Sequence, residues 1–129
     1  MATIRNFEEI EAWQLARELV HRIYDDTRRD DFRRDFGLRD QIRRAGVSIM
    51  ANIAEGFERD GNPEFVQFLS LAKASAGEVR SHLYVALDAG YIARDEFDRL
   101  TSLVRSIASA IAHLMAYLKA SDLRGRKYR

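Results

Sequence analysis

Apolar residues recur at intervals of three and four along four successive stretches of this 129-residue chain. This spacing places side chains on one face of an α-helix, whereas a half-buried strand requires alternation at every second residue. No stretch alternates in that way, and the single proline leaves the helical patterns uninterrupted. The sequence therefore predicts an all-α domain with helices at about residues 7–29, 38–59, 63–90 and 95–121.

Residues that begin or end helices mark the breaks between these stretches. Asn6 and Glu9 have the spacing of a capping box, and Asp95 is a candidate cap for the fourth helix. The segment 60–63 combines a turn signal with a proline suited to a first helical turn, and Gly90 is expected to stop the third helix. Short connections favour antiparallel neighbours, so we predict an up-and-down four-helix bundle.

The first connection is the longest, and here we expect the charged stretch 28–35 to end the first helix and Phe36–Gly37 to turn the chain. The bundle should occupy residues 1–121 as a single domain. Residues 122–129 form a basic tail, which we expect to be flexible.

Composition excludes several classes of protein. The chain has no cysteine, so a disulfide framework, thiolate catalysis and cysteine-ligated zinc are ruled out. Its apolar runs are interrupted by charges, and the first residues lack an apolar signal core, so we expect a cytoplasmic protein without a membrane role. Glu18 and His21 have the spacing of a di-iron ligand pair, but this motif occurs once and lies off the apolar face. We therefore predict no metal, no cofactor and no enzymatic activity.

The second helix carries more apolar surface than one buried face requires. Ile42, Ala45, Ile49 and Ile53 already form a complete stripe. The additional small or apolar residues are Gly46, Val47, Met50, Ala51, Ala54 and Phe57. A helix that is apolar nearly all round is buried on more than one side, and a domain this small cannot supply the second cover. We therefore predict a homo-oligomer in which these additional residues contact another copy.

The polar residues of the same helix fall on one edge. Arg44, Ser48, Asn52 and Glu55 follow one another at intervals of four and three, which stacks them along the helix. Two interpretations stay open. The residues form a network whose members satisfy one another in the oligomer, or they form a site in which Glu55 is a base and Arg44 binds an anion.

Two groups of basic residues make nucleic acid a candidate partner. The first group begins the second helix and consists of Arg39, Arg43 and Arg44. The second group is the tail, with Arg124, Arg126, Lys127 and Arg129. An oligomer repeats such a patch around its symmetry axis, which turns weak phosphate binding into stronger binding. The alternative is a protein–protein scaffold or accessory subunit with no nucleic-acid role.

The segment Gln41–Arg59 resembles the signature of a bacterial four-helix-bundle family, with its most specific part at Ser48–Gly56. The family is named for proteins encoded in intervening sequences of 23S ribosomal RNA genes and was formerly called ribosomal protein S23. The resemblance covers about residues 7–118 and includes Gly90-Tyr91-Ile92. It implies a homopentamer and offers no catalytic residues. The chain is similar, too, to accessory proteins of diversity-generating retroelements, which implies reverse transcriptase or nucleic acid as a partner.

Overall fold

Four helices in an up-and-down bundle make up the computed structural model, which describes residues 4–127, with side chains as far as Ser121. The α-helices are α1 (Glu11–Thr27), α2 (Phe36–Glu58), α3 (Asn62–Asp88) and α4 (Arg94–Lys127). Each packs against its two neighbours in a closed order, α1 on α2 and α4, and α3 on α2 and α4. No strand occurs in the described part of the chain, so the predicted all-α architecture is confirmed.

The core is built from buried apolar residues of all four helices. Leu19 of α1, Ile49 of α2, Leu69 of α3 and Ile107 of α4 all have no exposed surface. Burying a side chain of this size stabilises the fold by about 1.5–3 kcal/mol relative to leaving it in water. Because each helix contributes a continuous line of such residues, packing holds the bundle together without a disulfide or a metal.

The N-terminal capping residues act on a different element from the one predicted. The Glu9 carboxylate accepts hydrogen bonds from the backbone N–H groups of Arg5 and Asn6, at 2.6 and 2.9 Å. These bonds hold the pKa of Glu9 below its usual value. They close a 3-10 turn at Phe7–Glu9, and Ile10 is extended. The first α-helix therefore begins at Glu11, later than the predicted residue 7.

The α1–α2 connection is ordered by side chains that sequence patterns did not reveal. Phe36–Gly37 begins α2 instead of turning the chain, because the Asp35 carboxylate caps the helix by accepting from the Leu38 backbone N–H at 3.1 Å. The other oxygen of Asp35 accepts from the Tyr91 hydroxyl at 2.9 Å. Phe32 is buried and stacks on Tyr91, with ring centroids 5.1 Å apart. The α1–α2 and α3–α4 connections are therefore joined at one end of the bundle.

The α2–α3 turn and the end of α3 lie where the glycine and proline residues predicted them. Gly61 and Gly90 have φ angles of 93° and 77°, a conformation that glycine adopts without strain. Pro63 lies in the first turn of α3, as expected. Asn62 is the first residue of α3, and its side chain donates to the Leu118 carbonyl at 3.2 Å.

The fourth helix is longer than predicted. Its backbone continues past residue 121 to Lys127, through most of the segment expected to be a flexible tail. The side chains of Arg124, Arg126 and Lys127, and all of Arg129, lie outside the described residues. The part Arg94–Ser121 is long and apolar enough to cross a membrane by length and composition alone, a test that core helices also pass. Its seam is buried in the bundle.

Replacing Gly56 with alanine should destabilise the protein. A Cβ atom at this position would lie 2.7 Å from the Phe68 Cβ and 3.0 Å from a ring carbon of Phe65. The Phe68 Cβ cannot rotate away, so we expect the free energy of unfolding, measured with urea, to fall by about 1–3 kcal/mol. Gly37→Ala is the control, because a Cβ there meets only a side-chain oxygen of Asp35 at 3.9 Å. Equal stability of the two variants would contradict this account.

Candidate functional site

The centre of the polar edge on α2 forms a closed hydrogen-bond network within one chain. The hydroxyls of Ser48 on α2 and Ser75 on α3 lie 2.9 Å apart. The Asn52 side-chain amide donates to the carbonyl and the hydroxyl of Ser48, at 2.9 and 3.0 Å. The polar atoms of these half-buried side chains are therefore occupied across the α2–α3 contact, which favours the structural interpretation of the polar edge.

The two ends of the polar edge lie far apart. Glu55 is exposed and accepts from the Arg59 guanidinium at 3.1 Å, and that guanidinium lies 5.0 Å from the ring centroid of Phe68. Arg44 is exposed and has no ion pair or hydrogen bond with the described side chains. Eleven positions of one helix separate Arg44 from Glu55, a distance of about 16 Å. A general base and an anion anchor that act on one small substrate need to be closer than this.

One of the predicted interface residues lies inside the subunit. Gly46 is buried, and a Cβ atom there would lie 3.3 Å from side-chain atoms of both Val20 and Ile23 on α1. Its small size serves the α1–α2 contact within one chain, so it is not part of an outer surface. The sequence pattern missed this because a small residue beside a seam looks the same whichever helix approaches it.

The other predicted interface residues lie on or near the outer side of α2. Val47 is 42% exposed and Ala51 is exposed, while Met50, Ala54 and Phe57 are half-buried. On the neighbouring helix α3, Leu71 and Val85 are 51% and 50% exposed. We refer to the following five residues as the α2–α3 outer face: Val47, Ala51, Ala54, Leu71 and Val85. Leu71 and Val85 were not predicted as interface residues, although their separation of fourteen residues places them on one line of a helix.

Two of the three predicted nucleic-acid-binding arginines on α2 are occupied within the chain. The Arg43 Nε donates to the Thr27 hydroxyl at 2.8 Å, and its guanidinium lies 4.5 Å from the Tyr24 ring centroid. Arg39 pairs with Asp40 at 2.9 Å. Arg44 alone of the three is both exposed and free of a partner among the described side chains.

The basic residues at the start of α2 lie at the opposite end of the bundle from the end of α4. Helices α2 and α4 both begin at the end that holds the α1–α2 and α3–α4 connections, and α4 runs away from it toward the tail. Residues 28–44, at this end, contain seven arginines and four aspartates. An excess of three positive charges is therefore concentrated at one end of a chain whose net charge is +1.

Two carboxyl groups face each other in a cleft between α1 and α4 at the same end. The cleft has a volume of about 460 Å³ and is lined by Asp26 and Glu96, among others. The Asp26 Oδ2 atom is buried and has no hydrogen-bond partner among the described residues if both groups are ionised. Burial and the nearby Glu96 raise the pKa of Asp26 to about 7. The two residues are seventy positions apart, so no local pattern predicts their contact.

A second cavity, of about 710 Å³, lies between the N-terminal segment and α4. Apolar side chains that include Ile4, Ile10 and Leu114 line it, with Arg105 and His113 also on its wall. In the described part of the chain, no three histidine, aspartate or glutamate side chains converge as a metal site would require.

Replacing Arg43 should affect stability, whereas replacing Arg44 should not. Arg43→Gln removes a half-buried charged hydrogen bond and a cation–π contact, so the free energy of unfolding should fall by about 1–2 kcal/mol. Arg44→Gln should change it by less than about 0.5 kcal/mol, because its exposed side chain has no described partner. Urea denaturation of both variants tests this assignment, and an equal loss in each would contradict it.

Comparisons with known proteins agree with this architecture. The profile of the family described as "23S rRNA-intervening sequence protein" matches residues 8–113. A crystal structure of a protein of unknown function from the S23 ribosomal protein family, from Bacteroides thetaiotaomicron VPI-5482, aligns with a TM-score of 0.73. The two sequences are 23% identical, and the alignment covers 81% of this chain and 97% of the Bacteroides chain. This similarity shows a shared fold. No protein of curated function matches this chain. The family match spans most of the bundle, and the chain therefore belongs to the 23S rRNA-intervening sequence protein family.

Proposed function

We propose that this protein is a non-enzymatic, cytoplasmic scaffold that assembles with copies of itself through the α2–α3 outer face. The observation that carries the proposal is the exposure of Val47, Leu71 and Val85, each between 42% and 51%, on adjacent helices. Apolar surface contributes about 25 cal/mol for each Å² removed from water. Covering this face with another subunit would recover that free energy.

The polar atoms beside the outer face support burial in an assembly. Ser48, Asn52 and Ser75 already satisfy one another within the chain. Removing water from a polar atom costs about 1–3 kcal/mol only where the atom loses its hydrogen bond. A second subunit could therefore cover this region without leaving these groups unpaired.

Small residues on both helices would allow another helix to approach closely. Ala51 and Ala54 lie on α2, and Gly77 is an exposed glycine in the interior of α3. A Cβ atom at Gly77 would meet nothing within 4 Å in the subunit. Glycine in a helix interior costs about 1 kcal/mol relative to alanine. Gly77 lies about 120° around α3 from Leu71, so a second helix that contacts it would extend beyond the outer face.

The resemblance to the family implies five subunits. A closed ring joins two different surfaces of neighbouring subunits, whereas a two-fold dimer joins the same surface twice. In a ring, the α2–α3 outer face would contact another surface of the next subunit, and each subunit would bring its own Arg44 and its own basic end.

A second candidate function is RNA binding by the assembled protein. Arg44 is exposed without a described partner, and the end of the bundle near it carries seven arginines against four aspartates. Repetition in an oligomer would raise the number of phosphate contacts. The predicted relation to retroelement accessory proteins points to the same class of partner. The competing hypothesis is a polypeptide partner with no nucleic acid.

Arginine in place of Ala51 should prevent self-association. By light scattering at tens of micromolar, the wild-type protein should have a mass of several subunits of 14.9 kDa each. The Ala51→Arg variant should have the mass of one subunit. A large charged side chain at the centre of the outer face would have to be buried unpaired. Ser106→Arg, at an exposed position of α4, is the control and should keep the wild-type mass. A monomeric wild-type protein would overturn the proposal.

Salt-sensitive RNA binding should depend on Arg44. Anisotropy of a labelled single-stranded RNA should report binding by wild-type protein at low salt, with affinity falling as salt rises. Arg44→Gln should weaken binding by about tenfold in the oligomer, because every copy loses a phosphate contact. Arg59→Gln is the control, since Arg59 lies near the other end of α2 and pairs with Glu55. If the wild-type protein shows no salt-sensitive binding, the RNA hypothesis is wrong. A protein that stays bound to it in a pull-down after nuclease treatment would favour a polypeptide partner.

A further inference from the structure

A single acidic side chain in the α1–α4 contact lacks the partner that its burial requires. Asp26 lies near the end of α1, and its Oδ2 atom is buried without a hydrogen-bond partner in the described structure. The side chain that faces it within hydrogen-bonding reach is Glu96, in the first turn of α4. Two ionised carboxylates can only accept hydrogen bonds, so they would repel each other in this position. A proton on one of them turns the repulsion into a hydrogen bond.

The charges around the pair do not remove this conflict. The charged and titratable side chains that line the cleft are Arg22 and Asp25 from α1, Arg29 and Asp30 from the α1–α2 connection, Tyr91 from the α3–α4 connection, and Arg99 from α4. Arg99 lies 3.5 Å from Glu96, and Arg22 pairs with Glu18 at 3.7 Å. Arg29 favours ionisation of Asp26, but burial, Glu96 and Asp25 act in the opposite direction.

We infer that Asp26 and Glu96 share one proton across the α1–α4 contact, and that this proton holds the two helices together at the connected end of the bundle. When the proton is present, one carboxyl donates a hydrogen bond to the other. When it leaves, two negative charges face each other in a partly buried cleft. The α1–α4 contact at this end then weakens, while the rest of the core is unchanged.

The direction of the pH dependence follows from the titration of Asp26. Its pKa is about 7 in the folded chain and 3.8 as an isolated group. A carboxyl with a raised pKa stabilises the folded state when it is protonated. The contribution is full below about pH 4, is lost as the pH rises through about 7, and is absent in alkaline solution. This trend runs opposite to that of a carboxylate in an ion pair.

The full chain labelled with ¹³C offers a direct test by NMR. The side-chain carboxyl signal of Asp26 should titrate with a midpoint near pH 7, and Glu96→Gln should move that midpoint lower by at least about one pH unit. An Asp26 signal that titrates below pH 5 in the wild-type protein would overturn the inference. So would a midpoint near pH 7 that does not respond to Glu96→Gln.

Thermal unfolding measures whether the proton holds the fold. Asp26→Asn replaces the protonated carboxyl with an uncharged group of the same shape that can donate to Glu96. At one protein concentration, the Tm of Asp26→Asn should exceed that of wild type by about 5 °C more at pH 8.5 than at pH 5. Asp98→Asn is the control, because Asp98 is an exposed acid on α4 that pairs with Arg94, and its Tm difference from wild type should be the same at both pH values. A constant difference for Asp26→Asn would mean that Asp26 has only a packing role, and would overturn the inference.

Discussion

The close contact between α2 and α3 positions the polar network of α2 and the exposed apolar residues beside it. At Gly56 the two helices approach so closely that a single added methyl group would overlap the Cβ of Phe68. The serine pair Ser48–Ser75 lies two turns further along the same contact, and a hydroxyl pair at 2.9 Å requires the backbones to stay close. Because these two helices are locked together, their outward residues present a fixed surface.

The arrangement also decides which polar residues are available for binding. Side chains that point along the α2–α3 and α1–α2 contacts are used within the subunit, as Asn52 is by Ser48 and Arg43 is by Thr27. Arg44, one residue after Arg43, points away from α1 and stays exposed. Adjacent arginines on a helix differ by about 100° in direction, so their roles separate even though their sequence context is the same.

The sequence predicted the helices and the core because both depend on local periodicity. Ile49 and Ile107 could be assigned to the core from their spacing alone, and Gly90 could be assigned to the end of α3 from its place after an apolar seam. Features that depend on which helices are in contact could not be predicted from the sequence. The burial of Gly46 against Val20 and Ile23, the cap formed by Asp35 with the help of Tyr91, and the pairing of Asp26 with Glu96 all join distant residues. The polar edge of α2 was recognised from the sequence. Whether it forms a structural network or a binding site depended on the position of Ser75 on α3, which the sequence did not show.

The two sides of the bundle differ in how firmly they are held, and this difference keeps the two proposals separate. Helix α1 has 17 residues, about half the length of α4, so it covers only part of its neighbour. The α1–α4 contact ends in a cleft where two acids meet, whereas the α2–α3 contact is closed by small residues and satisfied hydroxyls. Loss of the shared proton would therefore loosen α1 first. The α2–α3 pair, and with it the outer face, would keep its geometry, so a change in pH would act on the connected end of each subunit without dismantling the surface proposed for assembly.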